Sequence, residues 1–290
     1  RTAMKATYSL LEKFLLIGVM AICLAVIFGL IFSNKLTHPI LELYEATKKV
    51  ASGHFDLKIK SESKDEIGAL SESFNVMSEK IQHLIKDQIE KTKLEGELAI
   101  ASTVQQTLIP PPKFDNEKIS IRSYYEPASV CGGDWWGFFG VGNQLAIMIA
   151  DATGHGLPSA LITAAARSCF SVMHKLAQDD SGFSFSPGSM LSYANRVIFD
   201  AAQGQIMMTF FIGVVDFKEK TLTYANGAHN PPWLFSQKNN KFTSTSLVSK
   251  GKRLGEAREV PPFEEKTIPI SNGDVLFLYT DGLIEGKDLS

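Results

Sequence analysis

The chain has 290 residues, a formal net charge of −2 and 44% hydrophobic residues, enough apolar material for one sizeable core and a smaller module. The near-neutral charge, without a basic stripe interleaved with aromatic residues, argues against nucleic acid as the main partner. Its three cysteines, Cys23, Cys131 and Cys169, are too scattered for a disulfide framework or a thiolate metal site. They fit a reducing compartment for the soluble part of the chain.

An apolar run without any charge occupies residues 14–32. At about 1.5 Å per residue, a helix of this length can just span a hydrocarbon core of about 30 Å. A long helical pattern follows the run instead of a small-residue cleavage site, which favours a transmembrane helix over a signal peptide or a buried core helix. We therefore predict a juxtamembrane segment at 1–13 and a transmembrane helix at 14–33. Lysines flank both ends, so the positive-inside rule does not decide the orientation.

Two amphipathic helical patterns follow the apolar run, and a short extended connector joins them. The first has Pro39 near its start and ends at Gly53, and the second opens with the acidic segment Asp-Glu-Ile-Gly at 65–68. This arrangement directly behind a membrane span resembles a HAMP domain. The resemblance implies a parallel four-helix bundle in a homodimer over residues 34–86, and the alternative is an ordinary helical hairpin.

The heptad register of the second helical pattern changes before the next domain. One apolar stripe runs from Leu70 to Leu84, and a shifted set beginning at Leu94 then takes over. Winding can alter where the register changes inside a dimeric coiled coil. We therefore predict a coiled-coil or switch helix at 87–110, which could equally pack on the following domain. Three prolines at 110–112 are expected to end this helix.

From residue 111 onward the pattern changes to short strands and two helices. Strands come first, helices follow at about 157–177 and 187–202, and more strands come last. This order differs from the regular alternation of a doubly wound sheet, and it predicts an α+β fold, a layered sandwich of β-sheets flanked by helices. The candidate strands are 119–125, 135–141, 145–150, 209–216, 221–225, 264–270 and 275–279. The stretch 237–246 is expected to be a hairpin loop, and 251–262 a surface excursion.

Three aspartates share one local pattern, in which a carboxylate at a strand end stands next to glycine. Asp134 follows two glycines and opens an aromatic strand, Asp151 ends an apolar run, and Asp281 follows another apolar run. A carboxylate that ends a buried strand is costly unless something pairs with it, and the hard cations Mg²⁺ and Mn²⁺ prefer oxygen ligands. We predict that the three converge on a metal site, although any one alone could be a simple turn. His155 could donate a proton or be a turn residue.

Four motifs make the resemblance to a known family specific. They read Cys-Gly-Gly-Asp-Trp-Trp-Gly-Phe at 131–138, Asp-Ala-Thr-Gly-His-Gly at 151–156, Tyr-Ala-Asn-Gly-Ala-His-Asn-Pro-Pro at 224–232 and Tyr-Thr-Asp-Gly at 279–282. Together with Gln105-Gln106 in the preceding helix, they resemble the SpoIIE-like branch of the PPM metal-dependent Ser/Thr phosphatases. One departure is Asn-Gly-Ala-His at 226–229, where family members usually read Asn-Ala-Gly-His. We expect this swap to alter the loop slightly.

The resemblance implies a two-metal site that hydrolyses phosphoserine or phosphothreonine on a protein. Asp134 and Asp151 would bridge two Mn²⁺ or Mg²⁺ ions, with the backbone carbonyl of Ala152 as a further ligand and Asp281 on the other side. The implied partner is a phosphorylated protein, commonly an anti-sigma-factor antagonist, and no catalytic residue separate from the metal ligands is implied. The family has another metal-binding aspartate after Thr-Asp-Gly. The phosphatase domain, 111–290, is therefore expected to lack its C-terminal end.

These observations leave three functional hypotheses. The leading one is a phosphatase anchored in a bacterial-type cytoplasmic membrane, facing the cytoplasm and regulated through a dimeric HAMP domain and linker helix. The second is a catalytically inactive phosphatase-like module that binds a partner, motivated by the absent aspartate. The third is a diguanylate cyclase, suggested by Gly-Gly-Asp behind a HAMP domain. It is disfavoured because Trp135 and Trp136 stand where such cyclases have Glu-Phe.

Overall fold

The computed structural model describes residues 2–60, 65–127, 129–179, 186–238 and 241–285, with the backbone alone for residues 2–9 and 238. The chain divides into two compact units, Arg1–Leu94 and Glu95–Ser290. Helices make up the first unit. The second contains the strands found among the described residues.

Three helices account for the first part of the chain. α1 covers Thr2–Phe32, a π-helical turn at Ser33–Thr37 connects it to α2 at His38–Ala51, and α3 runs over Glu66–Gln106. Among the described residues, one helical stretch, 10–51, is long and apolar enough to cross a membrane, and its most apolar window is fully exposed. That exposure is what a membrane-spanning helix requires.

A small apolar core joins α2, the connector and the start of α3. Leu43 and Ala46 of α2 pack with Phe74 of α3. The connector is held by Asn75, whose side chain accepts a hydrogen bond from the N–H of Ile59 and donates one to its carbonyl, both at 2.9 Å. The two helices therefore begin and end close to where the sequence predicts. α3 continues without interruption through the predicted change of register and ends before the three prolines.

The second unit is organised around a five-stranded antiparallel sheet, in the order β3-β4-β5-β6-β9, and a three-stranded sheet, in the order β10-β7-β8. Two short strands pair separately as β1-β2. The strands are β1 Lys113–Asp115, β2 Ser120–Arg122, β3 Asp134–Val141, β4 Gln144–Ala152, β5 Met208–Asp216, β6 Thr221–Gly227, β7 Trp233–Lys238, β8 Lys241–Ser246, β9 Glu265–Pro269 and β10 Val275–Phe277.

The five-stranded sheet is covered on both faces. Helices α4, Leu157–Asp179, and α5, Pro187–Ala202, pack on one face, and the three-stranded sheet packs on the other. In β4, Ala146, Met148 and Ala150 face the helices, while the intervening odd-numbered residues face the small sheet. A strand buried on both faces is apolar throughout, which explains the unbroken apolar run before Asp151. This is the predicted α+β layered arrangement.

Several local predictions differ in part from the structure. Residues 237–246 are not a simple loop, because β7 pairs with β8 in a regular hairpin; β8 is exposed and polar, so its sequence carries no apolar alternation. Most of the stretch 251–262 is exposed, as expected of a surface excursion, but Leu254 is fully buried and its backbone pairs with Met208 of β5. The predicted strand 119–125 is reduced to the three residues of β2.

Candidate metal centre

Two of the three predicted aspartates lie directly opposite each other on neighbouring strands. Asp134 is the first residue of β3 and Asp151 the second-to-last of β4, and the antiparallel register pairs them. Side chains alternate along a strand, and Trp136 in β3 and Ile149 in β4 pack toward the three-stranded sheet. Both carboxylates therefore project into the space between the two sheets, at one end of the sandwich.

The environment of this pair disfavours two negative charges. Burial, above all, raises the pKa of both Asp134 and Asp151, and the charge of Asp134 raises that of Asp151 further. The Oδ2 atom of Asp134 accepts a hydrogen bond from Thr280 Oγ1 at 3.0 Å, but its Oδ1 atom is buried without a hydrogen-bond partner among the described residues. A cation would satisfy this oxygen and relieve the repulsion, so the residues present fit a divalent metal.

The backbone carbonyl of Ala152 lies against the glycine that precedes Asp134. A Cβ atom placed on Gly133 would stand 2.4 Å from the Ala152 oxygen, a distance that real side chains do not adopt. The N–H of Ala152 also donates to the Gly133 carbonyl at 3.1 Å. Glycine is thus required here for close approach of two backbone segments, and the predicted carbonyl ligand lies beside the carboxylate pair.

Asp281 is placed differently from the other two aspartates. It stands on an exposed turn between β10 and the short helix α6, Gly282–Glu285. Its charge still contributes to the raised pKa of Asp134 and Asp151, so it faces the same region. Within the described ranges, however, no three His, Cys, Asp or Glu side chains come close enough to form a metal-binding group. The structure brings two predicted ligands together and leaves the third at the rim.

His229 is a buried residue that the sequence analysis included only as part of a motif. Its Nε2 lies 3.1 Å from the carbonyl oxygen of Tyr279, and its Nδ1 lies 2.8 Å from the hydroxyl oxygen of Thr209. Because a carbonyl only accepts, Nε2 carries the proton and Nδ1 accepts from Thr209. Burial lowers the pKa of His229 to about 4, so the ring is neutral. The ring links β5 to the segment that precedes Asp281.

The swapped glycine and alanine in the loop before His229 have a steric explanation. A Cβ atom on Gly227 would stand 2.5 Å from a methyl carbon of Leu254 and 3.1 Å from the Lys252 carbonyl oxygen. Ala228 adopts a left-handed conformation with a φ of 58°, which alanine tolerates at some cost. The usual family order would place alanine against Leu254, so the local packing requires the order found here.

Two other residues singled out in the sequence have plainer roles. His155 is exposed in the turn between β4 and α4, which agrees with its interpretation as a turn residue. Trp135 is buried against Phe170 and Phe210, and its Nε1 donates to the Leu108 carbonyl at 3.1 Å. Trp135 therefore has a packing role in the core.

Comparison with known proteins places these features in a family. Residues 31–83 match the HAMP domain model, and residues 142–290, more than half of the chain, match the model of Stage II sporulation protein E. In solved structures, the chain is similar to the SiaA-PP2C domain of Pseudomonas aeruginosa, with a TM-score of 0.50 and 20% identity over 67% of this chain and 74% of that one. At this identity the likeness concerns the fold.

Curated relatives are longer than the chain. It is 28% identical to phosphoserine phosphatase RsbU of Bacillus subtilis over 193 residues, which are 67% of this chain and 55% of RsbU. It is 27% identical to protein IcfG of Synechocystis sp. over 275 residues, 87% of this chain and 43% of IcfG. The chain thus spans about half the length of these relatives. On the match over more than half of its length, the chain belongs to the SpoIIE family.

Proposed function

We propose that this protein is a membrane-anchored signalling phosphatase that hydrolyses phosphoserine or phosphothreonine on a partner protein. The observation that carries the proposal is the in-register pair Asp134 and Asp151, in which one buried carboxylate oxygen has no hydrogen-bond partner among the described residues. Membership of the SpoIIE family supports the same activity, as do relatives named phosphoserine phosphatases. By the family resemblance, the substrate is a phosphorylated anti-sigma-factor antagonist.

The proposed cofactor is a pair of Mn²⁺ or Mg²⁺ ions. Asp134, Asp151 and the carbonyl of Ala152 would hold them from the five-stranded sheet, and Asp281 would reach them from the exposed turn. When bound, such ions supply an acidified water as nucleophile and neutralise charge on the phosphoryl oxygens. No catalytic residue separate from these ligands is proposed, and His155 has no step assigned to it.

The chain's own residues hold the ligands in place. The β3–β4 ladder fixes the spacing of the two paired carboxylates. Thr280 donates to Asp134, and His229 bonds the carbonyl of Tyr279, so both groups orient the turn that carries Asp281.

Regulation is proposed to act through the helical part of the chain. The match to a HAMP domain supports a homodimeric signalling module at 34–86, and the apolar helix supports a single span at 14–33. By the family resemblance, the phosphatase domain is proposed to lie in the cytoplasm. On α3, Ile89 and Leu94 are exposed apolar residues within 87–110. A second copy would cover them as a coiled coil over 87–110.

The test is release of phosphate from a phosphoserine protein by the full chain in detergent. We expect turnover only with Mn²⁺ or Mg²⁺, and its loss in Asp151→Asn, which keeps the side chain's shape and removes its charge. Gln106→Met, an exposed change on α3, serves as the matched control. Turnover in excess EDTA, or an Asp151→Asn variant as active as the control, contradicts the proposal.

A second candidate is a catalytically inactive module that binds a partner. The observation that favours it is the exposed position of Asp281 and the lack of a three-ligand group within the described residues. The two candidates differ in one measurement. An inactive module binds its partner equally well with and without metal and releases no phosphate, whereas a phosphatase requires the ion for turnover.

A further inference from the structure

Buried side-chain polar atoms without a hydrogen-bond partner cluster near the metal centre. In the part of the chain that the structure describes there are four, and one of them is Ser249 Oγ. The other three lie between positions 125 and 136, and they are Tyr125 Oη, Asp134 Oδ1 and Trp136 Nε1. The carboxylate oxygen accepts hydrogen bonds, whereas the phenol and the indole N–H donate them. A buried polar group without a partner costs free energy, so this region fits a ligand that supplies the missing bonds.

The hydroxyl of Tyr125 lies against the loop that leads into Asp134. A Cβ atom on Gly132 would stand 2.9 Å from Tyr125 Oη, so the glycine leaves the space that this hydroxyl fills. Burial above all, and then the charge of Asp134, raise the pKa of Tyr125 to about 12. The phenol therefore keeps its proton at neutral pH. It can donate a hydrogen bond in the region where the charge of Asp134 is felt.

Asp134 does not accept the hydrogen bond of this phenol in the structure. Its Oδ2 atom bonds Thr280, and its Oδ1 atom has no partner among the described residues. A divalent ion held by Asp134 and Asp151 would satisfy Oδ1. Such an ion usually keeps several of its waters, and phosphoryl oxygens are common further ligands. Oxygens of this kind accept hydrogen bonds, and an acceptor is what the Tyr125 hydroxyl lacks.

We propose that the Tyr125 hydroxyl donates a hydrogen bond to an oxygen atom bound at the metal centre, either that of a water or one of the phosphoryl group. The inference rests on the proposed function, because it presupposes a divalent ion at Asp134 and Asp151. It goes beyond that function by assigning a binding role to a side chain that is not a metal ligand. The hydroxyl gains its partner only when the centre is loaded, so its removal should have different consequences in the metal-free and the loaded protein.

The experiment compares Tyr125→Phe with Tyr124→Phe in the full chain in detergent. Phenylalanine keeps the ring and removes only the hydroxyl, and Tyr124, which is 86% exposed, is the matched neighbour. In EDTA, the melting temperature of Tyr125→Phe should equal or exceed that of the control, because removing a buried hydroxyl without a partner breaks no hydrogen bond. A hydroxyl that stabilised the fold itself would give a lower melting temperature instead.

Ligand binding is then measured in two titrations that do not depend on activity. The electron paramagnetic resonance signal of free Mn²⁺ gives the Mn²⁺ dissociation constant, and calorimetry with inorganic phosphate at saturating Mg²⁺ gives that of phosphate. If the acceptor is a water held with the ion, the Mn²⁺ dissociation constant should rise about 10–100-fold in Tyr125→Phe. If it is a phosphoryl oxygen, Mn²⁺ binding should stay unchanged and phosphate binding should weaken about 10–100-fold. Tyr124→Phe should show neither change.

The outcomes separate this inference from the proposed function. If wild-type protein binds no Mn²⁺, both are wrong. If Tyr125→Phe binds Mn²⁺ and phosphate as tightly as the control does, the inference is overturned and the proposed function stands. A Tyr125→Phe protein that melts below the control in EDTA, or that does not fold, also overturns the inference, because the hydroxyl would then have its partner within the protein.

Discussion

The two sides of the candidate metal centre are built by different means. Asp134 and Asp151 are fixed by a long antiparallel ladder whose strands are buried on both faces. Asp281 stands on an exposed turn after the edge strand β10, and long-range hydrogen bonds from Thr280 and His229 hold the residues just before it. One side is rigid because of strand register, and the other depends on a few side-chain contacts. The effects of substitutions on the two sides should therefore differ in size and in kind.

The largest difference is expected in metal binding. Asp134→Asn removes a charge from the rigid, buried side and should weaken Mn²⁺ binding by more than about 100-fold, beyond the loss caused by outer groups. Asp281→Asn removes a charge from the exposed rim, where water can replace it, and should cost only about tenfold. Titration of both variants with Mn²⁺ measures the two dissociation constants. Equal losses would mean that the exposed turn is as firmly held as the ladder.

The same contrast should appear in stability when a single methyl group is added on each side. Gly133→Ala places its Cβ 2.4 Å from the Ala152 oxygen, whereas a Cβ on Gly282 meets no atom closer than 3.9 Å. We expect the free energy of unfolding to fall by about 1–3 kcal/mol in the first variant and to change by less than about 0.5 kcal/mol in Gly282→Ala. Urea denaturation in EDTA compares them, and a neutral Gly133→Ala would show that the loop relaxes freely.

The sequence predicts the rigid side better than the exposed one, for a physical reason. Local sequence patterns are enough to predict the apolar runs of β3, β4 and β5 and the end of α5. An aspartate at the end of such a run stands out, because burying a carboxylate without a partner costs free energy. Strand register then follows from the turn between β3 and β4. The pairing of Asp134 with Asp151 was therefore within reach of sequence reasoning.

Features formed by residues far apart in the sequence could not be predicted in this way. The hydrogen bonds of His229 join residues 20 and 50 positions away along the chain, and no spacing rule indicates either partner. Strand β8 was missed because it is exposed and polar. Leu254 carries no periodic signal, although it fills the space beside Gly227. In each case tertiary contacts, rather than local propensity, determine the structure.

His229, which holds the exposed side, should make the free energy of unfolding depend on pH. His229 has a folded-state pKa of about 4, below its unfolded value, so the unfolded chain binds a proton first as pH falls. The stability present above about pH 6.5 is then lost as pH falls toward 4, by an amount on the order of 2 kcal/mol. His229→Gln should flatten this part of the curve of unfolding free energy against pH. His155→Gln, which removes an exposed histidine, should keep it; a wild-type slope in His229→Gln would contradict the assignment.

The smallest effect concerns the stability of the metal-free protein, which a substitution of Asp151 should raise instead of lower. Burial and mutual repulsion raise the pKa of Asp151 above its unfolded value, so its contribution to stability is fully present only below the unfolded pKa. It is lost as pH rises through the folded pKa. In EDTA at neutral pH, Asp151→Asn should therefore stabilise the fold by about 1 kcal/mol, or roughly 2–4 °C in Tm.

A carboxylate at the far end of the same sheet gives the contrast for Asp151. Backbone N–H groups of Glu219 and Lys218 and the amide of Gln144 lower the pKa of Asp216, with the bond from Glu219 the largest cause. Asp216→Asn should consequently destabilise the metal-free protein at neutral pH, while Asp151→Asn stabilises it. Thermal melts in EDTA at pH 5 and pH 8 distinguish the two, because the gain in Asp151→Asn should grow with pH. A metal-free Asp151→Asn that melts below wild type at pH 8 would mean that the paired carboxylates stabilise the fold by themselves, and the case for a cation between them would fail.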